Sequence, residues 1–225
     1  MDFEEFVLAA SVADLAEEPR AREQADAVEF RMDLADDSLA ALDDYDGELP
    51  ILATNRAAWE GGEAGDDETR LAALAEAAEL ARVGAVDVEL ASLADGEGEG
   101  ERVAETARRT GTAVIASKHD FERTPDRAAL RETLRAATDR ADVGKLAVTA
   151  EAKADVLDLL AVTREFASAG ERVATMAMGA PGRHSRAVAP LYGSRIGYAP
   201  VDPADATAPG QYDLATLARL VGELR

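Results

Sequence analysis

The sequence predicts an α/β protein built as a (β/α)8 TIM barrel, and three observations carry that expectation. Short apolar runs recur about eight times, amphipathic stretches alternate with them, and 225 residues is the length of one such barrel. Continuous apolar strands alternating with helices indicate a parallel sheet covered on both faces. One domain over residues 1–225 is expected.

The elements follow in order. FVLAAS (6–11) opens the series, and the AASVADLAEEP around its end lacks the Gly-rich phosphate turn that an open doubly wound sheet places after its first strand. AVEFRMD (27–33) sets Glu29, Arg31 and Asp33 at period-two spacing, hence on one face. PILATNR (50–56) ends in Arg56 and runs on to Glu60. GGEAGDDE (61–68) reads as a solvated loop before the helical pattern ETRLAALAEAAELARVGA (68–85). AVDVELA (85–91) carries Asp87 and Glu89, and ADGEGEGE (94–101) reads as a second solvated loop.

The second half repeats the alternation. AVIASKH (113–119) ends at His119, and DRAALRETLRAAT (126–138) is helical. GKLAVTA (144–150) holds Lys145 and leads into EAKADVLDLLAVTREFAS (151–168). RVATMAMG (172–179) precedes a loop containing RHSR (183–186), and SRIGYAPV (194–201) completes the strands. In the final helix Leu214, Leu217, Leu220, Val221 and Leu224 recur at helical spacing behind Asp213 as N-cap.

Composition narrows the function classes. A formal net charge of −21 repels nucleic acid phosphates and anionic lipid, so neither is an expected partner. No apolar run approaches the roughly 18 residues of a membrane span, and MDFEEF lacks the basic start of a signal peptide, so a cytoplasmic location is expected. Cysteine is absent and only two histidines occur, which excludes thiolate and histidine-rich metal sites. Few lysines, abundant Ala and many carboxylates resemble proteins adapted to molar salt, where screening relieves self-repulsion.

Lys145 is the informative residue. The chain has three lysines and otherwise uses arginine, yet one lysine interrupts an apolar strand. Burying an ammonium without function costs several kcal/mol, and unlike arginine a desolvated lysine gives up its proton. Lys118, on the opposite strand face from His119, and Lys153, at a helix start, read as solvated, and His184 reads as a surface residue. Asp87 and Glu89 could equally belong to a structural ion-pair network. Barrel chemistry occurs at the C-terminal strand ends, where His119 sits. An amine beside an imidazole suggests imine formation followed by proton abstraction, and the surplus arginines suggest an anionic substrate. Residue types alone leave a Schiff-base lyase, a class I aldolase-type barrel and a non-enzymatic acidic scaffold open.

Taken together, EFRMD (29–33), TNRAAWEGG (54–62), VDVEL (86–90), SKHDFERTP (117–125), GKLAV (144–148), ATMAMG (174–179), HSR (184–186) and ATAPGQ (206–211) resemble type I 3-dehydroquinate dehydratase, in family order and across nearly the whole chain. The resemblance implies a Schiff-base lyase of the shikimate pathway, acting on 3-dehydroquinate without metal or organic cofactor. It implies that Lys145 forms the imine, His119 acts as general acid/base, Glu60 orients His119 and Arg186 holds the substrate carboxylate. Glu29, Arg31, Arg56, Thr207 and Gln211 would contact or order the substrate, with Met176 and Met178 packed beside the imine. A homodimer is a further implied state, and ATAPGQ is expected to form a lid. The family's usual serine is Thr207 here, and strand one starts so early that the floor hairpin of longer relatives is expected to be absent or reduced.

Overall fold

The computed structural model describes residues 1–93 and 98–225. Its eight parallel strands are β1 (Val7–Val12), β2 (Ala27–Arg31), β3 (Ile51–Thr54), β4 (Val83–Glu89), β5 (Ala113–Asp120), β6 (Val143–Thr149), β7 (Val173–Met178) and β8 (Ile196–Pro200). Each pairs with its successor from β1 to β7, and β1 also pairs with β8. The remaining seam, β7 against β8, is held by one bridge, Val173 to Ser194, where Arg195 N–H donates to the Val173 carbonyl at 2.7 Å. The result is the nearly closed (β/α)8 barrel that the sequence predicts.

Helices α1 (Glu18–Ala21), α2 (Ser38–Asp43), α3 (Asp67–Ala77), α4 (Glu99–Thr110), α5 (Arg127–Thr138), α6 (Lys153–Ser168), α7 (Gly179–Gly182), α8 (Ser185–Val188) and α9 (Leu214–Leu224) lie between or after the strands. Period-two alternation sorts the strand residues. Along β6, Leu146 and Val148 join the outer cluster with Leu130, Leu134 and Leu159 of α5 and α6, whereas Ala147 joins the inner one. Each buried leucine of this kind stabilises by about 1.5–3 kcal/mol. The same alternation turns Lys145 inward.

Several expectations need correction. Helix α3 stops at Ala77, well short of residue 85, because β4 begins at Val83. The RHSR segment is no open loop but a turn at Arg183 and His184, between α7 and α8, followed by the first two residues of α8. Of ADGEGEGE, residues 94–97 lie outside the described residues, and from Glu99 the chain is helical. Glu99 and Glu101 suit the positive end of that helix. Gly100 is there for close approach rather than for a turn, since a Cβ would fall 2.2 Å from the Ser92 carbonyl. In α9, capped by Asp213, Leu214, Leu217 and Val221 are buried, but Leu220 is only partly so and Leu224 is 45% exposed.

Among the described residues no hairpin precedes β1, and the segment before it lies over the barrel floor. Phe3, fully buried and in the left-handed region at φ 52°, packs into the inner cluster with Leu52, Ile115, Val143 and Ile196. The terminal ammonium donates to the Gly84 carbonyl at 3.1 Å, and Glu4 bonds Arg172 through its side chain and Arg195 through its carbonyl. These contacts hold the segment across the barrel bottom and seal the end opposite the polar strand termini.

Candidate active site

Strand register builds the site. Glu89 is level with Ser117, and Ser117 with Lys145, across β4, β5 and β6. At the C-terminal strand ends a cavity of about 60 Å³ opens. It is bordered by Lys145, His119, Glu60, Glu29, Arg31, Arg56, Arg186, Thr207, Gln211, Met176 and Met178, so one pocket gathers every site residue named from the sequence.

The Lys145 amine is buried but not bare. Its Nζ lies 2.8 Å from Asp87 Oδ2 and 4.1 Å from the centre of the Tyr198 ring. The sequence suggested desolvation alone, whereas the structure supplies a carboxylate partner. Asp87 also accepts from Arg56 Nη2 at 2.7 Å and from the Ser117 hydroxyl at 2.6 Å. Burial works against this carboxylate, yet Arg56 and Lys145 hold its pKa far below the usual range. Arg56 is likewise buried, and Asp87 and Glu89 outweigh that burial to keep it firmly cationic.

The imidazole is held differently. His119 Nδ1 is 3.0 Å from Glu60 Oε1, and the same oxygen accepts the His119 backbone N–H at 2.7 Å. Two contacts to one carboxylate oxygen fix both the ring and the chain that carries it. Burial, with Arg56 and Lys145 nearby, pushes the His119 pKa well below its ordinary value. Burial also raises the Glu60 carboxyl. Phe121 stacks on the ring at 6.0 Å between centroids. Lys118, expected in solvent, is 43% exposed but reaches within 3.5 Å of Glu60. Lys153 and His184 are exposed as expected.

The rest of the cavity is prepared for polar contacts. Glu29 accepts from Ser11 at 2.5 Å and from Thr54 at 3.1 Å, and Arg31 forks onto Asp33 at 2.8 and 2.6 Å. Arg186 has no hydrogen bond from Nε or Nη2 and no carboxylate within reach among the described residues; burial alone lowers its pKa to about 10. A buried guanidinium without an anion is a seat for one. Gln211 uses its side-chain carbonyl to accept from Ala208 N–H at 3.0 Å, which leaves its NH2 group for other partners. Pro209 O accepts from Gly179 N–H at 3.2 Å and ties the 206–211 loop to α7.

Residue-level reading missed Tyr198, Ser117 and Arg70, and left Asp87 and Glu89 undecided. Both acids do form an ion-pair network, and Asp87 also holds the amine. Tyr198 and Ser117 looked like ordinary strand residues; only their inward period-two positions signalled them. Arg70 looked like one of many helix-surface arginines.

Comparison with known proteins gives the family. The model of the family described as type I 3-dehydroquinase matches residues 6–224. The 3-dehydroquinate dehydratase of Haloarcula marismortui is 61% identical, spanning 100% of this chain and 99% of its own. That of Halobacterium salinarum is 54% identical with 100% of both covered. Among solved structures, 3-dehydroquinate dehydratase from Geobacillus kaustophilus superimposes with a TM-score of 0.86 at 28% identity, covering 98% of this chain and 91% of that one. The type I enzyme of Clostridium difficile, solved with covalently modified comenic acid, gives a TM-score of 0.85 at 25% identity, covering 98% and 92%. This chain is an enzyme of the type I 3-dehydroquinase family.

Proposed function

We propose that the chain is a lyase that dehydrates 3-dehydroquinate to 3-dehydroshikimate through an imine on Lys145. The observation that carries this is the placement, in one cavity, of an amine on Asp87, an imidazole on Glu60 and a guanidinium that meets no carboxylate among the described residues. Arg186 takes the substrate carboxylate. The Lys145 nitrogen adds to the ring ketone carbon, and two of the ammonium's three protons pass to the ketone oxygen, which leaves as water and gives an iminium. Its positive charge takes the place of the ammonium beside Asp87, so the buried charge balance survives the step.

His119 performs the proton transfers. A neutral imidazole whose Nδ1–H donates to Glu60 presents Nε2 as a base, and its lowered pKa keeps it unprotonated at neutral pH. It removes the proton from the carbon next to the iminium, and the electron pair becomes an enamine. The enamine expels the ring hydroxyl, which leaves as water with the proton that His119 returns. Hydrolysis of the conjugated iminium frees the product and Lys145. Glu29, Arg31, Thr207 and Gln211 face the substrate's polar groups, Met176 and Met178 pack beside the imine, and Arg56, fully engaged by Asp87, Glu89 and Ser117, orders the amine.

The chain is read as a single-domain cytoplasmic enzyme, with a homodimer as its candidate assembly. No described helix is long and apolar enough to cross a membrane. The test is borohydride reduction with 3-dehydroquinate present, followed by peptide mapping. The expected result is added mass at Lys145 together with appearance of the ultraviolet-absorbing conjugated product. Label on Lys153, or turnover of a sugar phosphate in place of 3-dehydroquinate, would defeat the proposal.

A further inference from the structure

From the cavity wall outward, six side chains of alternating sign stand in line. They run Asp67, Arg70, Glu89, Arg56, Asp87 and Lys145, with successive contacts of 2.6, 2.7, 2.8, 2.7 and 2.8 Å. The outer end, Asp67, is 55% exposed, and the inner end is the amine. Arg70 does not border the cavity, yet it is the most heavily bonded member of the line. Its Nη1 donates to Glu89 Oε2 and to the Asn55 carbonyl at 3.2 Å, its Nη2 to Ser92 Oγ at 3.2 Å, and its Nε to Asp67 at 2.6 Å. Asn55 Nδ2 returns a bond to the Arg70 carbonyl at 3.0 Å, which fixes the residue next to Arg56.

The same guanidinium reaches the other half of the site. It lies 5.8 Å from the centre of the Trp59 ring, and the Trp59 indole N–H donates to the Asp67 carboxylate that Arg70 also binds. Trp59 immediately precedes Glu60 in the turn Ala58–Glu60, and Glu60 carries His119. One side chain on α3 is therefore connected to the amine through Glu89 and Arg56, and to the imidazole through Trp59 and Glu60.

We propose that Arg70 is a positioning residue that sets the mutual placement of Lys145 and His119 without touching substrate. This rests on the function proposed above. Lysine cannot replace it, because three of its four directions require the planar fork. Removing it leaves Glu89 with one guanidinium partner in place of two and frees Trp59, so Arg56 and Glu60 both lose a fixed support. A misplacement on the order of 1 Å at the reacting groups costs roughly 100-fold in rate.

The experiment compares wild type with Arg70→Met, Arg70→Lys and Asp67→Asn, the last being a surface change that leaves the buried pairs in place. Turnover of 3-dehydroquinate is normalised to the fraction of chains trapped by borohydride, and time-resolved anisotropy of Trp59, the sole tryptophan, reports the turn before Glu60. Arg70→Met is expected to lower kcat per trapped site by roughly 100-fold with KM held within about threefold. Arg70→Lys should recover only part of this, Asp67→Asn should lose roughly threefold, and Trp59 should depolarise faster in all three. Unchanged kcat per trapped site in Arg70→Met, with only its thermal midpoint lowered, would show Arg70 to be merely structural and overturn the inference. If Arg70→Met does not fold, Arg70→Lys and Asp67→Asn decide, and wild-type values in both overturn it. If wild type does not turn over 3-dehydroquinate, the proposed function fails on its own. The positioning claim is then judged from the Arg70→Lys structure, where Arg56 and Glu60 still at their wild-type distances from Asp87 and His119 would overturn it.

Discussion

The two sides of the cavity are built on opposite electrostatic plans. On the β4–β6 side every buried charge has a partner: Arg56 bonds Asp87, Glu89 and Ser117, and Lys145 bonds Asp87. On the β7–β8 side Arg186 is as deeply buried as Arg56 yet has no anion among the described residues, and there too the buried Tyr198 hydroxyl finds no partner. One guanidinium is held cationic by its neighbours, while burial depresses the other to about 10. The paired side is organised before substrate arrives. The unpaired side is completed by the substrate itself, so it should govern binding while the paired side governs chemistry.

The largest effect breaks the paired side at its inner end. Lys145→Arg retains the charge against Asp87 and should keep the fold, but kcat should fall by on the order of 10⁴-fold or more because no imine can form. Substantial residual turnover in a product-absorbance assay would contradict imine chemistry.

A second pair of variants tests the contrast by sign. Glu89→Gln strips Arg56 and Arg70 of their shared anion and should destabilise by about 3–5 kcal/mol in urea unfolding. Arg186→Met removes a buried cation with no anionic partner among the described residues, so stability should hold or rise, whereas KM should increase roughly 100-fold from the lost charge-assisted bonds. Equal destabilisation by both would remove the distinction between the two sides.

Acid should separate the groups more gently. His119 has a lowered folded pKa, so the unfolded chain binds its proton first, and stability is lost as pH falls from about 6.5. Asp87 has a lowered pKa too, and its contribution is lost only from about pH 3.9 downward. Thermal melts should therefore show an early decline that His119→Gln abolishes and a later one that it retains. A wild-type midpoint flat down to about pH 4 would refute the His119 assignment.

The smallest effect concerns the surface rather than the cavity. At a net charge of −21 the thermal midpoint should rise from dilute to molar salt, in one cooperative transition, while Lys145 and Asp87, being buried, are screened little. An unchanged midpoint would count against salt adaptation.

Much of the site was legible because inward strand positions interrupt apolar runs. Glu29, Arg31, Arg56, His119 and Lys145 announce themselves this way, and the order of the motifs supplied Glu60, Arg186, Thr207 and Gln211. Tyr198 was not legible, since an aromatic in a strand is ordinarily core. Arg70 was not legible either: Asp66, Asp67 and Glu68 just before it are exposed acids, and nothing local marks one helix arginine as buried. The end of the ADGEGEGE stretch, from Glu99, misled because glycine signals both turns and tight packing, and at Gly100 the second applies.

The sequence by itself determined the eight strands, the inward period of their polar residues and the excess of surface carboxylates, because these follow from the local spacing of apolar and charged side chains. Only the tertiary structure decided that Asp87 meets Lys145, 58 positions away, that Arg70 supports both the amine and the imidazole, and that Phe3 seals the floor. Such pairings depend on strand register and barrel closure, which bring residues together through the whole fold and leave no trace in any single segment.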